Sequence, residues 1–365
     1  MKKLAVFFCL TAWLTLPALA APAAPATDAA AMILIHPASG RVLAAKNADE
    51  PRLIASTTKL MTALLAVRAL PMEQMVEVRD EWTRVEGSSM YLKAGESYSV
   101  RELLEGLLLA SGNDAALALS ETVAGDVDAF VQRMNEQARA LGLSHTHFEN
   151  PHGLDGEDHR SSAADLAKTM AAALEEPTLI EIMGERRSTI HGAVFENHNK
   201  LLRSCPGVFA GKTGYTLAAG RCLVSACRRD GMELICVTLA DRNDWRDHAA
   251  LYDWAYENYR AFSLHAGDPA DERPVLSQEP QATALTVRND VEVCVDKNAA
   301  VRVECALPPF AFAPVCVGET AGIVTVYVEE RVAAREELVW IEDVYPARTE
   351  SLRDLADRIL GIYRI

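Results

Sequence analysis

A serine followed three residues later by a lysine, Ser56-Thr57-Thr58-Lys59, is the first pattern in this chain that could carry chemistry. Two more follow in order, Ser111-Gly112-Asn113 and Lys212-Thr213-Gly214. A serine hydroxyl is a weak nucleophile at neutral pH and needs a base to take its proton. On a helix, residues three apart share a face, so Lys59 stands one turn from Ser56. Lysine can be that base only if its pKa falls, and burial or a second cation nearby lowers it. Lys212 is the natural second cation, and it is suited to draw a substrate carboxylate or carbonyl. In this reading Ser111 relays a proton to a leaving amine, and Asn113 holds a substrate amide and orients Lys59. The backbone N–H of Ser56, at a helix start, and that of Tyr215, on a strand after Gly214, face a developing oxyanion. Together these groups would perform acyl transfer through a serine ester.

Taken singly, each pattern is weak. An S-x-x-K match turns up about once by chance in an average chain of this length. Ser56 alone reads as a helix cap with Lys59 in solvent, Ser111-Gly112-Asn113 as a turn, and Lys212-Thr213-Gly214 as the start of a strand. Their joint order and structural contexts carry the assignment.

Elements must hold these residues together. A hairpin is expected first: 31–35 as a strand, turn residues Pro37-Ala38-Ser39-Gly40, and a return over 41–43. From Ser56 the period becomes helical through Leu60, Met61, Leu64, Leu65 and Val67. Further helices are expected over 100–109, 114–123 and 127–141, and Ser162 to Asp165 resembles a capping box opening a helix at Leu166. Strands over 221–227 and 233–239 meet through Asp230-Gly231. A helix over 248–259 closes the unit. Residues 29–264 therefore read as an α/β (α+β) domain with an antiparallel sheet and a helical block. Residues 265–280, rich in Pro, Asp and Glu, read as a linker. Period-two runs make 281–347 a small β-sandwich domain. Residues 348–365 read as an amphipathic helix, with Leu352, Leu355, Ile359, Leu360 and Tyr363 on one face. Such a helix lies on a membrane surface or docks on its own protein.

The 365 residues are half apolar and carry a formal charge of -15. They contain no basic run, so nucleic acid is not an expected partner. At the N-terminus, Lys2 and Lys3 precede an apolar stretch over 4–16, then Pro17 and the A-x-A site Ala18-Leu19-Ala20. Residues 1–20 read as a signal peptide and 21–28 as a loose leader, which implies export to the periplasm or the outer face of the membrane. Beyond Cys9, the cysteines are Cys205, Cys222, Cys227, Cys236, Cys294, Cys305 and Cys316. Their number is odd and no C-x-x-C occurs, so free buried thiols are expected, with a disulfide between some pair left open. His145, His147, His152 and His159 lie close in sequence, and H-x-H can ligate zinc. A His-rich loop is the preferred reading, and neither metal nor cofactor is expected.

Longer stretches carry a resemblance. They are Ala55 to Leu65 around Ser56, Gly87-Ser88-Ser89-Met90, Leu107 to Ala116, Asn150-Pro151-His152-Gly153-Leu154, and Gly211 to Thr216. Over about residues 30–260 the chain resembles the low-molecular-mass penicillin-binding proteins, the D-alanyl-D-alanine carboxypeptidases, whose S-x-x-K motif is shared with the serine β-lactamases. The resemblance implies a β-lactamase/transpeptidase-like catalytic domain and the β-domain and amphipathic tail that follow it. It implies Ser56, Lys59 and Ser111 as catalytic residues, and Asn113, Lys212, Thr213, Gly214, Tyr215 and Thr216 as substrate-binding ones. The implied partners are peptidoglycan stem peptides, with β-lactams as covalent inhibitors. The implied reaction, removal of a terminal D-alanine, belongs to cell-wall building and cell shape. One departure stands out. Some members place an arginine before the closing helix to bind the substrate carboxylate. That position here falls near Asp244, flanked by Arg242 and Arg246. Two other readings compete: a β-lactamase, which would need a glutamate such as Glu149 or Glu157 to activate water, and a wall-binding protein without activity.

Overall fold

The computed structural model describes residues 22–277 and 281–346. The signal peptide expected over 1–20 and the helix expected over 348–365 lie outside the described residues. β1 (Ala31–His36) and β2 (Arg41–Lys46) form the expected hairpin. Two short ribbons follow, β3 (Met75–Glu77) with β4 (Ser97–Ser99) and β5 (Arg187–Ile190) with β6 (Ala193–Glu196). Then come β7 (Val208–Thr216), β8 (Gly220–Arg229) and β9 (Met232–Leu239). The central sheet runs β2-β1-β9-β8-β7, antiparallel throughout, with β7 at its edge. Asp230 and Gly231 both have positive φ at the β8–β9 turn, as a two-residue hairpin loop requires.

Both faces of this sheet are covered, which is why its strands read as nearly continuous apolar runs. The pleat sorts the side chains. Ala31, Ile33, Val224, Ala226, Ile235 and Val237 join the core under the helical block. Met32, Leu34, Leu223, Leu234 and Cys236 join a second core on the opposite face. The helical block comprises α1 (Lys59–Ala69), α2 (Val100–Leu108), α3 (Asn113–Ala124), α4 (Val127–Ala140) and α5 (Ala163–Ala173). α6 (Pro177–Gly184) and the single turn α7 (Leu201–Ser204) lead back to the sheet, and α8 (Asp244–Asn258) covers its other face through Leu251, Tyr252 and Ala255.

Two helices start earlier than their apolar periodicity suggested. α5 begins at Ala163, where the Ser162 side chain accepts from the Asp165 N–H. α8 begins at Asp244 and not at His248, with Asp244 and Asp247 in its first turn, where the helix dipole favours acids. The leader is not loose over its described part: Asp28 N–H donates to Asp247 at 2.7 Å, and Trp254 Nε1–H donates to the Pro22 carbonyl.

The stretch 265–280 is not a linker throughout. β11 (Asp271–Leu276) lies within it, paired with β12 (Gln281–Val287) and β15 (Ala311–Phe312). Only Val275 of β11 is fully buried, so an apolar alternation was never there to read. Before it, β10 (Tyr259–Leu264) already pairs with β13 (Val291–Asp296). The larger sheet runs β14-β16-β17-β12-β11-β15, with β14 Val301–Ala306, β16 Thr320–Val328 and β17 Arg331–Trp340. Val291, Val293 and Val295 pack with Leu285, Val324, Val326, Leu338 and Trp340 in one core between these two layers. All seven described cysteines are free: five are buried, Cys305 is partly covered and Cys316 is exposed. No described helix is long and apolar enough to cross a membrane.

Candidate active site

Ser56 sits in a tight 3-10 turn, Ala55–Thr58, that runs into α1. α1 is buried nearly all round, so its first residue, Lys59, is carried inside the protein with it. Lys59 is fully buried and makes three short contacts: Ser56 Oγ at 2.9 Å, Asn113 Oδ1 at 2.6 Å and the His152 carbonyl at 2.6 Å. Among the described residues no carboxylate touches it. Burial first, and the neighbouring Lys212 second, hold its pKa well below the ordinary lysine range, with Asp114 opposing. As an ammonium it donates to all three partners. As an amine it donates to Asn113 and His152 and has a lone pair left for the Ser56 proton.

The turn itself is strained and locked. Ala55 has a φ of 45, in the left-handed region. Thr57 Oγ1 donates to the Ile54 carbonyl and Thr58 Oγ1 to the Ala55 carbonyl. His159 holds Thr58 from behind. Its Nδ1 accepts from the Glu149 N–H, so its Nε2 carries the proton and donates to Thr58 Oγ1 at 2.8 Å. Burial pushes His159 down to about 4, consistent with that neutral ring. Gly153, at φ +89, lies so close that a Cβ there would stand 2.0 Å from the Ala55 carbonyl oxygen. The Asn150 to Leu154 stretch is therefore the back wall of the nucleophile turn.

Ser111 is the second strained residue, with φ 61 in the break between α2 and α3. Its Oγ accepts from Lys212 Nζ at 3.0 Å. Lys212 also donates to the Thr213 carbonyl, is buried, and is pushed down to about 7 by that burial. Asn113 opens α3, and its Nδ2 donates to the Glu86 carbonyl. Asp114, buried beside it, accepts from Ser89 Oγ and from the N–H groups of Met90 and Leu92. That acid fixes the loop carrying Ser88 at the mouth of the site. On the other side, Gly214 of β7 packs against the nucleophile turn: a Cβ would stand 3.0 Å from Ser56 N and 3.1 Å from Thr57 N.

A cleft of about 400 Å³ opens here, lined by Ser56, Ser88, Ser111, His198, Thr213, Gly214, Tyr215, Arg221, Asp244 and Trp245. Lys59, Asn113 and Lys212 stand beneath this lining and reach it through Ser56 and Ser111. Thr216 is apart: its hydroxyl donates to Asp155 and accepts from the Ala219 N–H at the end of the strand. Arg246 pairs with Asp28 and Asp247, and Arg242 lines a different hollow. Neither flanking arginine lines the Ser56 cleft. Sequence reasoning missed Arg221, Trp245 and His198, because nothing local distinguishes a strand arginine or a loop histidine that the fold turns toward a cleft. Among the described residues no glutamate lines the cleft, and Glu149 and Glu157 are exposed. Among the described residues no group of three or more His, Cys, Asp or Glu side chains is placed to hold a metal ion.

A serine hydroxyl 2.9 Å from a buried lysine amine, at the junction of a helical block and an edge strand, is an arrangement suited to a serine acyl-transfer enzyme. The comparisons narrow this. A sequence model of the D-alanyl-D-alanine carboxypeptidases matches residues 18–243, and the chain belongs to that family of serine hydrolases. It is 31% identical to the D-alanyl-D-alanine carboxypeptidase DacF of Bacillus subtilis, over 86% of each chain. It is 33% identical to DacD of Salmonella typhimurium, over 89% of this chain and 88% of that one. Among solved structures, penicillin binding protein 5 from Haemophilus influenzae aligns over 89% of this chain and 99% of its own, with 28% identity and a TM-score of 0.73.

Proposed function

We propose that this protein removes the terminal D-alanine from peptidoglycan stem pentapeptides through an acyl-enzyme on Ser56, and that penicillins acylate the same oxygen. The observation that carries this reading is the buried Lys59 amine 2.9 Å from Ser56 Oγ, its pKa held down by burial and Lys212 against the opposing Asp114. Lys59 takes the Ser56 proton as Oγ attacks the carbonyl of the penultimate D-alanine. The N–H groups of Ser56 and Tyr215 are assigned to the oxyanion. The amide C–N bond then breaks, and Ser111, backed by Lys212, passes a proton to the departing amine. The proton on Lys59 replaces the one that Ser111 gave up; water then attacks the ester as Lys59 takes its proton, the C–O bond to Ser56 breaks, and that proton passes to Ser56. The balance is one peptide and one water in, one shortened peptide and one D-alanine out. Asn113 and Thr213 are assigned to the substrate backbone. Export to the cell envelope, where such peptides are found, belongs to the same reading and is supported by the lysine-led apolar N-terminus.

The test is intact-mass spectrometry after exposure to a fluorescent penicillin, followed by peptide mapping. One adduct, on the peptide containing Ser56 and absent in Ser56→Ala, is expected. No adduct, or one elsewhere, overturns the assignment.

A further inference from the structure

We infer that Arg221 is the specificity-determining residue that grips the free carboxylate of the substrate's last residue. The inference rests on the carboxypeptidase reading and gives that site its anchor. An enzyme that cuts only the last peptide bond must recognise the charge beyond that bond, or it would cut anywhere along the chain.

Arg221 lies on β8 directly across from Tyr215 of β7, and it lines the same cleft as Ser56. It is the one arginine in that lining. Lys212 is a poorer anchor: it is buried, it already donates to Ser111 and to the Thr213 carbonyl, and burial disfavours its charged form. The guanidinium of Arg221 is held along one edge. Nε donates to Asp244 at 3.1 Å and Nη2 donates to the second Asp244 oxygen at 2.6 Å. Its plane also rests near the indole of Trp245, with Cζ 5.3 Å from the ring centroid. The Asp244 side chain is 4% exposed, whereas Arg221 is 40% exposed. Asp244 is thus the buried support and the arginine the presented group.

A guanidinium has two edges that each match a carboxylate. Asp244 occupies the Nε/Nη2 edge. The Nη1/Nη2 edge keeps its donors for a second carboxylate, and among the described residues Nη1 makes no hydrogen bond. An arginine pinned by an acid and a ring needs little further ordering to bind, which is the use of preorganisation. This also accounts for the acid found at the start of α8, near where the resemblance placed an arginine: the acid orients a cation supplied by β8.

The experiment uses the full chain and two peptides, one ending in D-Ala-D-Ala with a free carboxylate and one with the terminal carboxamide. Released D-alanine or D-alaninamide and the Ser56 acyl adduct are followed in single turnovers. For Arg221→Gln, acylation efficiency with the carboxylate peptide should fall about 100-fold, mostly through weaker binding, while the carboxamide reaction changes less than about threefold. Arg221→Lys should recover part of the loss. If Arg221→Gln fails to fold, Arg221→Gln with Asp244→Asn, which strands no buried charge, is read the same way. A variant that keeps the wild-type preference for the carboxylate, or one that loses both reactions equally, overturns the inference. Wild-type protein that labels on Ser56 with penicillin but shows no preference between the peptides overturns it too, and leaves the serine assignment standing. Wild-type protein that neither labels nor releases D-alanine overturns the carboxypeptidase reading itself.

Discussion

Two lysines carry the proposed chemistry at the scale of single residues; both are buried, and among the described residues no carboxylate contacts either. Replacing Lys59 with Met keeps most of its apolar stem and removes the base. Acylation by penicillin should then fall by at least about 100-fold, measured as the rate of adduct formation on Ser56. The same lysines set a pH dependence of stability. In the unfolded chain lysine titrates near 10.4, while Lys212 in the fold titrates at about 7. Between these values the unfolded state binds the extra proton, so stability rises with pH across that window. A denaturant series from pH 7 to pH 10 should show this rise. Lys212→Met should flatten the part due to Lys212, and an equal slope in that variant would contradict its depressed pKa. The catalytic profile moves the opposite way for Lys212: its charge is lost as pH rises through 7, so kcat/KM should decline on the alkaline side.

At the scale of elements, the nucleophile turn depends on the loop behind it. Gly153 has both a positive φ and no room for a side chain, since its Cβ would meet the Ala55 carbonyl at 2.0 Å. Gly153→Ala should push the Ala55–Thr58 turn off its position. Penicillin acylation should drop more than tenfold, while circular dichroism stays close to wild type. α2 provides a contrast. Ser99 and Glu102 form a reciprocal capping box at its start, away from the cleft. Ser99→Ala should lower stability by about 1 kcal/mol in denaturant titration and leave the acylation rate unchanged.

At the scale of the whole molecule, the β-domain is tied to the catalytic domain through the β1–β2 hairpin. Arg41 donates to Asp296 at 2.9 Å and to the Cys294 carbonyl at 2.8 Å, and it lies over the Tyr259 ring. His36, buried in β1, meets Glu292 at 2.8 Å. Neither Arg41 nor His36 lines the Ser56 cleft, so the two functions should separate. Arg41→Ala is expected to cost about 1 kcal/mol, seen as a lower thermal midpoint. The acylation rate should remain within about twofold of wild type. A large loss of acylation in that variant would show that the β-domain acts on the active site.

How much of this was legible beforehand differs by feature. The triplet of motifs pointed to Ser56, Lys59, Ser111, Asn113 and Lys212, which the structure brings together, because the proposed reaction restricts residue type and spacing wherever a helix or strand carries them. The antiparallel sheet and the helical block were readable from period, since a pleated strand and a helix sort apolar side chains differently. β11 was not readable, because a strand with one fully buried residue leaves no alternation. The hold of His159 on Thr58, of Asp114 on the loop at the mouth, and of Asp244 on Arg221 were decided only by the tertiary structure. Each joins residues that are distant in sequence or separated by a turn, and the side chains take their roles from hydrogen bonds that exist once the core has closed. By itself the sequence determined the residue types and spacings on which the proposed chemistry rests. The fold decided how far their pKa values fall and which cation lines the cleft, because burial and orientation are properties of the packed chain.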